Sequence, residues 1–256
     1  MERTVLITGA TSGIGEAAAV KFAQSSDRLI LTGRRKERLD ELSSHLADTC
    51  GTEVLALCFD VRDRTAVEKN LGSLPGNWNQ IDILINNAGL AVGLSHLDEG
   101  EPDDWDRMVD TNIKGLLYVT RTIAPLMVRR GSGHIINIAS IAGKEVYENG
   151  AVYCATKHAV DALSRGMRLD FVKHGIKVTN IAPGLVETEF SIVRFKGNKE
   201  RASAVYSGLE PLTGDDIAEV IHYCASLPAH VCINDVVITP VAQANSTTTI
   251  RKTIQP

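Results

Sequence analysis

Hydrophobic residues in this chain fall into two patterns. Short, nearly unbroken apolar runs occur at 3–8, 29–32, 53–59, 81–85, 134–138, 176–181 and 236–239. Runs of that length, rich in Val, Ile and Leu, predict strands buried on both faces. Between them the apolar positions recur every three or four residues, which predicts amphipathic helices. These cover 16–24, 36–49 (with Leu39, Leu42 and Leu46 on one stripe), 103–112, 114–130, 150–173 and 215–226. The helical pattern is interrupted around 111–115, and a further one at 190–207 is broken by Gly197. Asp63 is placed to cap the helix after the third strand, and Thr213 or Asp215 to cap the last one. Strands alternate with helices without a linker or repeat. The pattern therefore predicts a single α/β domain over 1–245 with a doubly wound, seven-stranded parallel sheet flanked by helices. In such folds ligands bind outside the carboxyl ends of the strands. Residues 246–256 carry no clear pattern and are expected to order against another subunit or to fray.

Composition narrows the possible functions. The chain has 256 residues, enough for one large domain with a substantial core, and a net charge of −4. Its basic clusters are confined to Arg34-Arg35-Lys36 and Arg129-Arg130, which argues against nucleic acid as a partner. No apolar run approaches the roughly 18 residues of a membrane span. The first strand begins within three residues of the start, so no signal peptide is expected and the cytoplasm is the expected location. Cys50, Cys58, Cys154, Cys224 and Cys232 are widely spaced without a C-x-x-C pair, so neither a disulfide framework nor a zinc site is suggested. His45, His134, His174 and the other histidines are singly placed, and no metal is expected.

Candidate chemistry falls at the strand ends. Gly9-Ala-Thr11-Ser12-Gly13-Ile14-Gly15 joins the first strand to the first helix, the context in which a glycine loop cradles a pyrophosphate. Dinucleotide folds that bind NAD usually carry an acidic residue about 20 residues past the glycine loop. Here that place is Gly33-Arg34-Arg35. Two guanidiniums suit a 2′-phosphate, although they could also be the solvated start of the next helix. Asp60-Val61 ends the third strand, where the carboxylate could accept a bond from an adenine amino group. The stretch Ser140 to Lys157 contains Tyr153-x-x-x-Lys157, whose i,i+4 spacing puts phenol and ammonium on one helical face. A cation beside a phenol favours the phenolate and should lower its pKa. By itself Y-x-x-x-K is a common chance pattern. Cys154, one helical step away from Tyr153, reads as packing.

Taken together, Thr8-Gly9…Gly13-Ile-Gly15, Asn86-Asn87-Ala88-Gly89, Asn112, Ser140, Tyr153-x-x-x-Lys157 and Pro183-Gly184-x-x-x-Thr188 resemble the short-chain dehydrogenase/reductase family over nearly the whole chain. The resemblance implies a Rossmann-type fold and a tetrad of Asn112, Ser140, Tyr153 and Lys157 working with a nicotinamide cofactor. Tyr153 would exchange a proton with the substrate oxygen, which Ser140 would orient. Lys157 would lower the tyrosine pKa and bond the nicotinamide ribose, and Asn112 would hold a relay water. It also implies NADP(H) bound by Gly9, Thr11, Ser12, Gly13, Ile14, Gly15, Arg34, Arg35, Asp60, Val61, Asn87, Ala88, Gly89, Pro183, Gly184, Val186 and Thr188, together with Tyr153 and Lys157.

The segment Ala182-Pro-Gly-Leu-Val-Glu-Thr-Glu-Phe190-Ser-Ile-Val-Arg194-Phe-Lys-Gly-Asn and the ending Asp235-Val-Val-Ile-Thr-Pro240…Gln243-Ala-Asn are similar to the bacterial and yeast NADP-dependent 3-hydroxy acid dehydrogenases, which act on serine, L-allo-threonine and related acids. On that resemblance 185–206 is a substrate lid. Ser140, Tyr153 and Arg194 would contact a small-molecule substrate, with Arg194 pairing its acid group unless that arginine simply faces solvent. Reduction of a sulfonated aldehyde or of a 3-oxoacyl chain are the alternative reactions, and a non-catalytic dinucleotide sensor is the alternative class. Apolar residues on the helix at 151–163 span about 180° by the 100° step. That exceeds the roughly 100° needed to pack on a sheet, so a homo-oligomer, a tetramer as is common among relatives, is expected.

Overall fold

The computed structural model describes residues 2–252. Seven parallel strands form one sheet in the order β3-β2-β1-β4-β5-β6-β7. They are β1 (Thr4–Thr8), β2 (Arg28–Gly33), β3 (Val54–Cys58), β4 (Ile83–Asn86), β5 (Gly133–Ile138), β6 (Ile176–Pro183) and β7 (Asp235–Ile238). The order reverses at β1, with β2 and β3 to one side and β4 to β7 to the other, which opens a crevice at the carboxyl ends of β1 and β4.

The apolar runs are buried on both faces because side chains alternate along a strand. Val5 and Ile7 pack with Leu29, Leu31 and Ile85 under α1 (Gly13–Gln24), α2 (Lys36–Cys50) and α9 (Gly214–Ser226). Leu6, Ile30, Leu84 and Ile135 face the opposite way, under α3 (Arg64–Leu71), α5 (Leu116–Arg130) and α6 (Ala151–Phe171). Leu39, Leu42 and Leu46 are the buried stripe of α2.

Caps and breaks follow local chemistry. Asp63 accepts the amide of Ala66 at 3.0 Å and starts α3. Thr213, not Asp215, caps α9: its hydroxyl accepts from the Asp216 amide, and the Asp216 carboxylate accepts from the Thr213 amide. The interruption at 111–115 is a π-helical turn, Asp110–Gly115, joining α4 (Pro102–Val109) to α5. The helix expected over 190–207 is two short ones, α7 (Phe190–Arg194) and α8 (Lys199–Ala204). They are separated by Gly197, whose φ of 91° only glycine adopts readily.

The buried face of α6 consists of Tyr153, Cys154, Thr156, Lys157, Val160, Asp161, Ser164 and Met167. Of the apolar arc read from the sequence only Val160 is fully buried, whereas Ala155 and Ala162 are exposed. Small apolar side chains on α6 thus mark an outward face. The described part of the tail does not fray. It folds back on its own chain, with the Lys252 amide donating to Gly208 O at 2.7 Å and Arg251 Nη2 to Val205 O at 2.9 Å. Residues 253–256 of the expected tail lie outside the described residues. Among the described residues no helix is long and apolar enough to cross a membrane.

Candidate active site

A cleft of about 460 Å³ lies over the carboxyl ends of the strands. At one end it is bounded by Gly33, Arg34 and Arg35, at the other by Ser140, Tyr153 and Arg194. It brings together every cofactor and substrate residue expected from the sequence except Gly15, and every tetrad residue except Asn112. Those two lie behind its wall, and each has a reason to be there.

Gly15 is buried in α1. A side chain there would collide with the Gly9 carbonyl and the Asn87 amide nitrogen, which donates to Thr8 O at 2.9 Å and Gly9 O at 3.1 Å. Gly9 and Gly13 take φ of 68° and 56°, and a Cβ on Gly13 would stand 3.0 Å from Thr188. The glycines therefore let loop, helix and Thr188 close on one another. Ser12, the residue before α1, makes no side-chain cap, so the first amide groups of α1 remain free for an anion.

Asn112 sits in the π-helical turn. Its Oδ1 accepts from the Leu90 amide at 2.9 Å, and its Nδ2 donates to Leu90 O at 2.8 Å and to Thr156 Oγ1 at 3.0 Å. The side chain pins Leu90 against α6. The backbone at Gly89 passes close to the site: a Cβ there would lie 3.4 Å from both Asn112 Oδ1 and Lys157 Nζ.

Tyr153 and Lys157 are both buried and line the cleft, one turn apart on α6. Lys157 Nζ donates to Ile138 O at 2.9 Å and lies 5.9 Å from the Tyr153 ring centroid. Burial pushes the Lys157 ammonium down to about 8. The expected lowering of the phenol is reversed in this state. Burial pushes Tyr153 up, the Tyr147 phenol adds to the rise, and the Ser140 hydroxyl and the Arg194 charge only partly oppose it. Tyr153 is accordingly a neutral phenol across the physiological range. Ser140 follows β5, accepts the Ala142 amide at 3.1 Å and faces the cleft.

Arg194 closes the far wall. Its Nη2 donates to the Tyr147 hydroxyl at 2.8 Å, and its guanidinium carbon lies 5.6 Å from the Tyr153 ring centroid. Among the described residues its Nε is buried with no partner. The guanidinium thus lines the cleft. Two further ties hold the segment: Gly93 N donates to Arg194 O at 3.0 Å, and Lys196 pairs with buried Asp104 at 2.7 Å.

Asp60 lines the cleft and is paired with arginine. It accepts from Arg62 through Nε at 2.9 Å and Nη2 at 2.7 Å, and Arg34 is 3.8 Å away. Burial opposes its ionisation, but the Arg62 bonds outweigh it and hold the carboxyl below its usual range. Cys154 is fully buried, and burial pushes its thiol up, as a packing residue requires.

Several wall residues were not read from the sequence. Tyr147, Gln243 and Ser246 line the cleft, and Gln243 Oε1 accepts from the Leu185 amide at 2.8 Å. Arg38 is three residues past Arg35 on α2, a spacing that places both on one helical face and could have been noticed. Gln243 and Ser246 reach the cleft only through the fold-back of the tail, for which no local signal exists.

The chain belongs to the short chain dehydrogenase family, whose model matches residues 3–199. Among its relatives, the NADP-dependent 3-hydroxy acid dehydrogenase YdfG of Salmonella typhi is 48% identical over 241 residues, covering 94% of this chain and 96% of that one. Serine 3-dehydrogenase of Rhizobium radiobacter is 45% identical over 244 residues, covering 95% and 96% respectively. A solved structure described as the closed form of serine dehydrogenase complexed with NADP+ superposes with a TM-score of 0.91 at 45% identity, covering 97% of this chain and 99% of that one.

Proposed function

We propose that the protein is an NADP-dependent oxidoreductase that interconverts small 3-hydroxy acids and their 3-oxo acids. The observation that carries this reading is the placement of the Arg194 guanidinium, with a buried and unpartnered Nε, above the phenol of Tyr153. A carboxylate bound there would leave a 3-hydroxyl free to reach Tyr153 and Ser140. The kinship to YdfG and serine 3-dehydrogenase points to the same chemistry.

The cleft fits a dinucleotide carrying a 2′-phosphate. The glycine loop leaves a cradle that side chains would fill, the start of α1 offers free amides, and Arg34 and Arg35 border its adenosine end. Bound there, the nicotinamide supplies or accepts the hydride. The chain's own residues manage the substrate and its proton. Ser140 donates to the substrate oxygen and fixes its position. Tyr153, a neutral phenol in the empty cleft, gives its proton to that oxygen during reduction and is left as phenolate; in oxidation it is the phenolate that takes the proton of the substrate hydroxyl. Lys157 lends positive charge behind the phenol. Asn112 acts as a positioning residue that holds Leu90 and Thr156. Arg194 orients the acid group, and residues 185–206 form the lid.

The acidic residues lining the cleft are Asp60 and Glu189, and both are engaged by arginines at the adenosine end. Neither of these two carboxylates is at the Ser140 end to hold a substrate ammonium, which favours acids in general over amino acids in particular. The outward alanines of α6 and the exposed Leu169 support self-association, and a cytoplasmic homotetramer is the proposed setting.

The test is a panel of L-serine, L-allo-threonine, 3-hydroxypropionate, 3-hydroxybutyrate and isethionate with NADP+ and NAD+. Turnover of the carboxylic acids with NADP+, lost in Tyr153→Phe, is expected. Turnover of isethionate alone would transfer the reading to a sulfonate. Turnover surviving in Tyr153→Phe would remove the mechanism.

A further inference from the structure

Glu189 precedes α7 and stands where the lid meets the adenosine end of the cleft. Its two oxygens serve different guanidiniums: Oε2 accepts from Arg35 Nη1 at 2.7 Å and Oε1 from Arg38 Nη1 at 2.6 Å. Arg35 directs its remaining donors to the glycine loop, with Nε on Thr11 Oγ1 at 3.3 Å and Nη2 on Thr11 O at 2.9 Å. One carboxylate thus joins the first residues of α2 to the lid, and through Arg35 to the glycine loop. The two arginines hold that carboxyl below its usual pKa range, so it is charged at neutral pH.

This bridge can be exchanged. The side chains of Arg35, Arg38 and Glu189 are 41%, 48% and 40% exposed, so water and salt screen both pairs. A phosphate monoester carries nearly two negative charges at neutral pH and three acceptor oxygens, more than a carboxylate can offer the same two guanidiniums. Arg34 is not part of the bridge, since it faces Asp60.

We propose that Glu189 is an internal stand-in for the cofactor's 2′-phosphate: its carboxylate occupies Arg35 and Arg38 until the phosphate displaces it and frees the near end of the lid. The inference rests on the NADP reading above. It makes Glu189 a residue that tunes cofactor affinity and Arg38 a second phosphate ligand. The far end of the lid stays anchored through Lys196 to Asp104 and through Arg194 O to Gly93 N, so the movement is confined to the neighbourhood of 187–193.

The test compares the full-length protein with Glu189→Gln, a nearly isosteric change on a partly exposed side chain. Adenosine 2′,5′-bisphosphate and AMP, which differ only in the 2′-phosphate, are titrated into each by calorimetry. Wild type should prefer the bisphosphate. Glu189→Gln should bind the bisphosphate about three- to tenfold more tightly, as expected for removal of two exposed ion-pair competitors, and AMP equally well. Hydrogen exchange at amides 187–193 should quicken when bisphosphate is added to wild type, and should already be fast in Glu189→Gln. Bisphosphate binding that is unchanged or weaker in the variant overturns the proposal, as does exchange in wild type that does not respond. Absence of any preference in wild type would instead remove the NADP reading, and this inference with it.

Discussion

The guanidinium of Arg194 sits 5.6 Å from the ring centroid of Tyr153, although the two residues lie on different elements, α7 and α6. The contact is made by folding a short helix back over the sheet and tying it at Gly93 and Asp104. It places a fixed positive charge directly above a proton donor. A small acid lying beside both would have its charge and its reacting oxygen fixed at once.

Arg194 should therefore act on substrate more than on cofactor. Arg194→Ala is expected to raise KM for 3-hydroxy acids by about 10- to 100-fold, the loss of one charge-assisted contact. NADPH affinity, measured by fluorescence titration, should stay near wild type. If both KM and kcat hold, Arg194 has no part in recognition.

Among the described residues, the acids lining the cleft are Asp60 and Glu189, at the end away from Ser140. A substrate ammonium carried to Ser140 would lose water without gaining either carboxylate. 3-Hydroxypropionate should thus show kcat/KM at least equal to that of L-serine, measured side by side at neutral pH. A strong preference for serine would mean that an amine site exists in this cleft.

Much of this was legible in the sequence, and the reasons differ from residue to residue. The strands were legible because burial on both faces demands unbroken apolar runs, and Val5 to Ile7 or Ile83 to Ile85 can satisfy that in no other way. The glycine loop was legible because its backbone geometry requires glycine at fixed spacing. The outward face of α6 was misjudged as to which residues it would bury. Small residues such as Ala155 pattern like core, while the inward face is built from Tyr153, Lys157 and Asp161. The state of the phenol was also missed. Spacing places Lys157 near Tyr153, but only the depth of the cleft decides whether charge or desolvation prevails, and here desolvation does. Glu189, Gln243 and Ser246 were missed because each acts through a contact distant in sequence.

Glycines at different sites should respond in opposite ways. A Cβ at Gly15 would meet the Gly9 carbonyl and Asn87, neither of which can yield without disturbing the cofactor loop. Gly15→Ala is expected to cost about 1–3 kcal/mol, typical of overpacking, and to weaken NADPH binding. Gly166 lies inside α6 with nothing within 4 Å of a Cβ. Gly166→Ala should stabilise the protein by up to about 1 kcal/mol through helix propensity. Thermal melting of the two variants against wild type checks both signs.

Lys157 offers a sharper test, because its burial has a cost that depends on pH. Its ammonium titrates at about 8 in the folded protein against an ordinary value of 10.5. Below pH 8 the lysine is charged in both states, and burial of that charge destabilises the fold by about 3 kcal/mol, at about 1.4 kcal/mol for each pH unit between the two values. Between pH 8 and 10.5 the unfolded chain holds more protons than the folded one, so this contribution to stability improves as pH rises. Lys157→Met removes the charge but leaves Ile138 O without its donor, which returns about 1 kcal/mol or more. The variant should therefore be more stable than wild type by about 1–2 kcal/mol at pH 7, or roughly 2–8 °C in Tm for a chain of this size. That advantage should shrink steadily from pH 8 to pH 10, while turnover is lost at every pH. A variant less stable than wild type at pH 7, or an advantage that grows with pH, would show that Lys157 contributes net stabilisation through its contacts rather than a desolvation cost accepted for function.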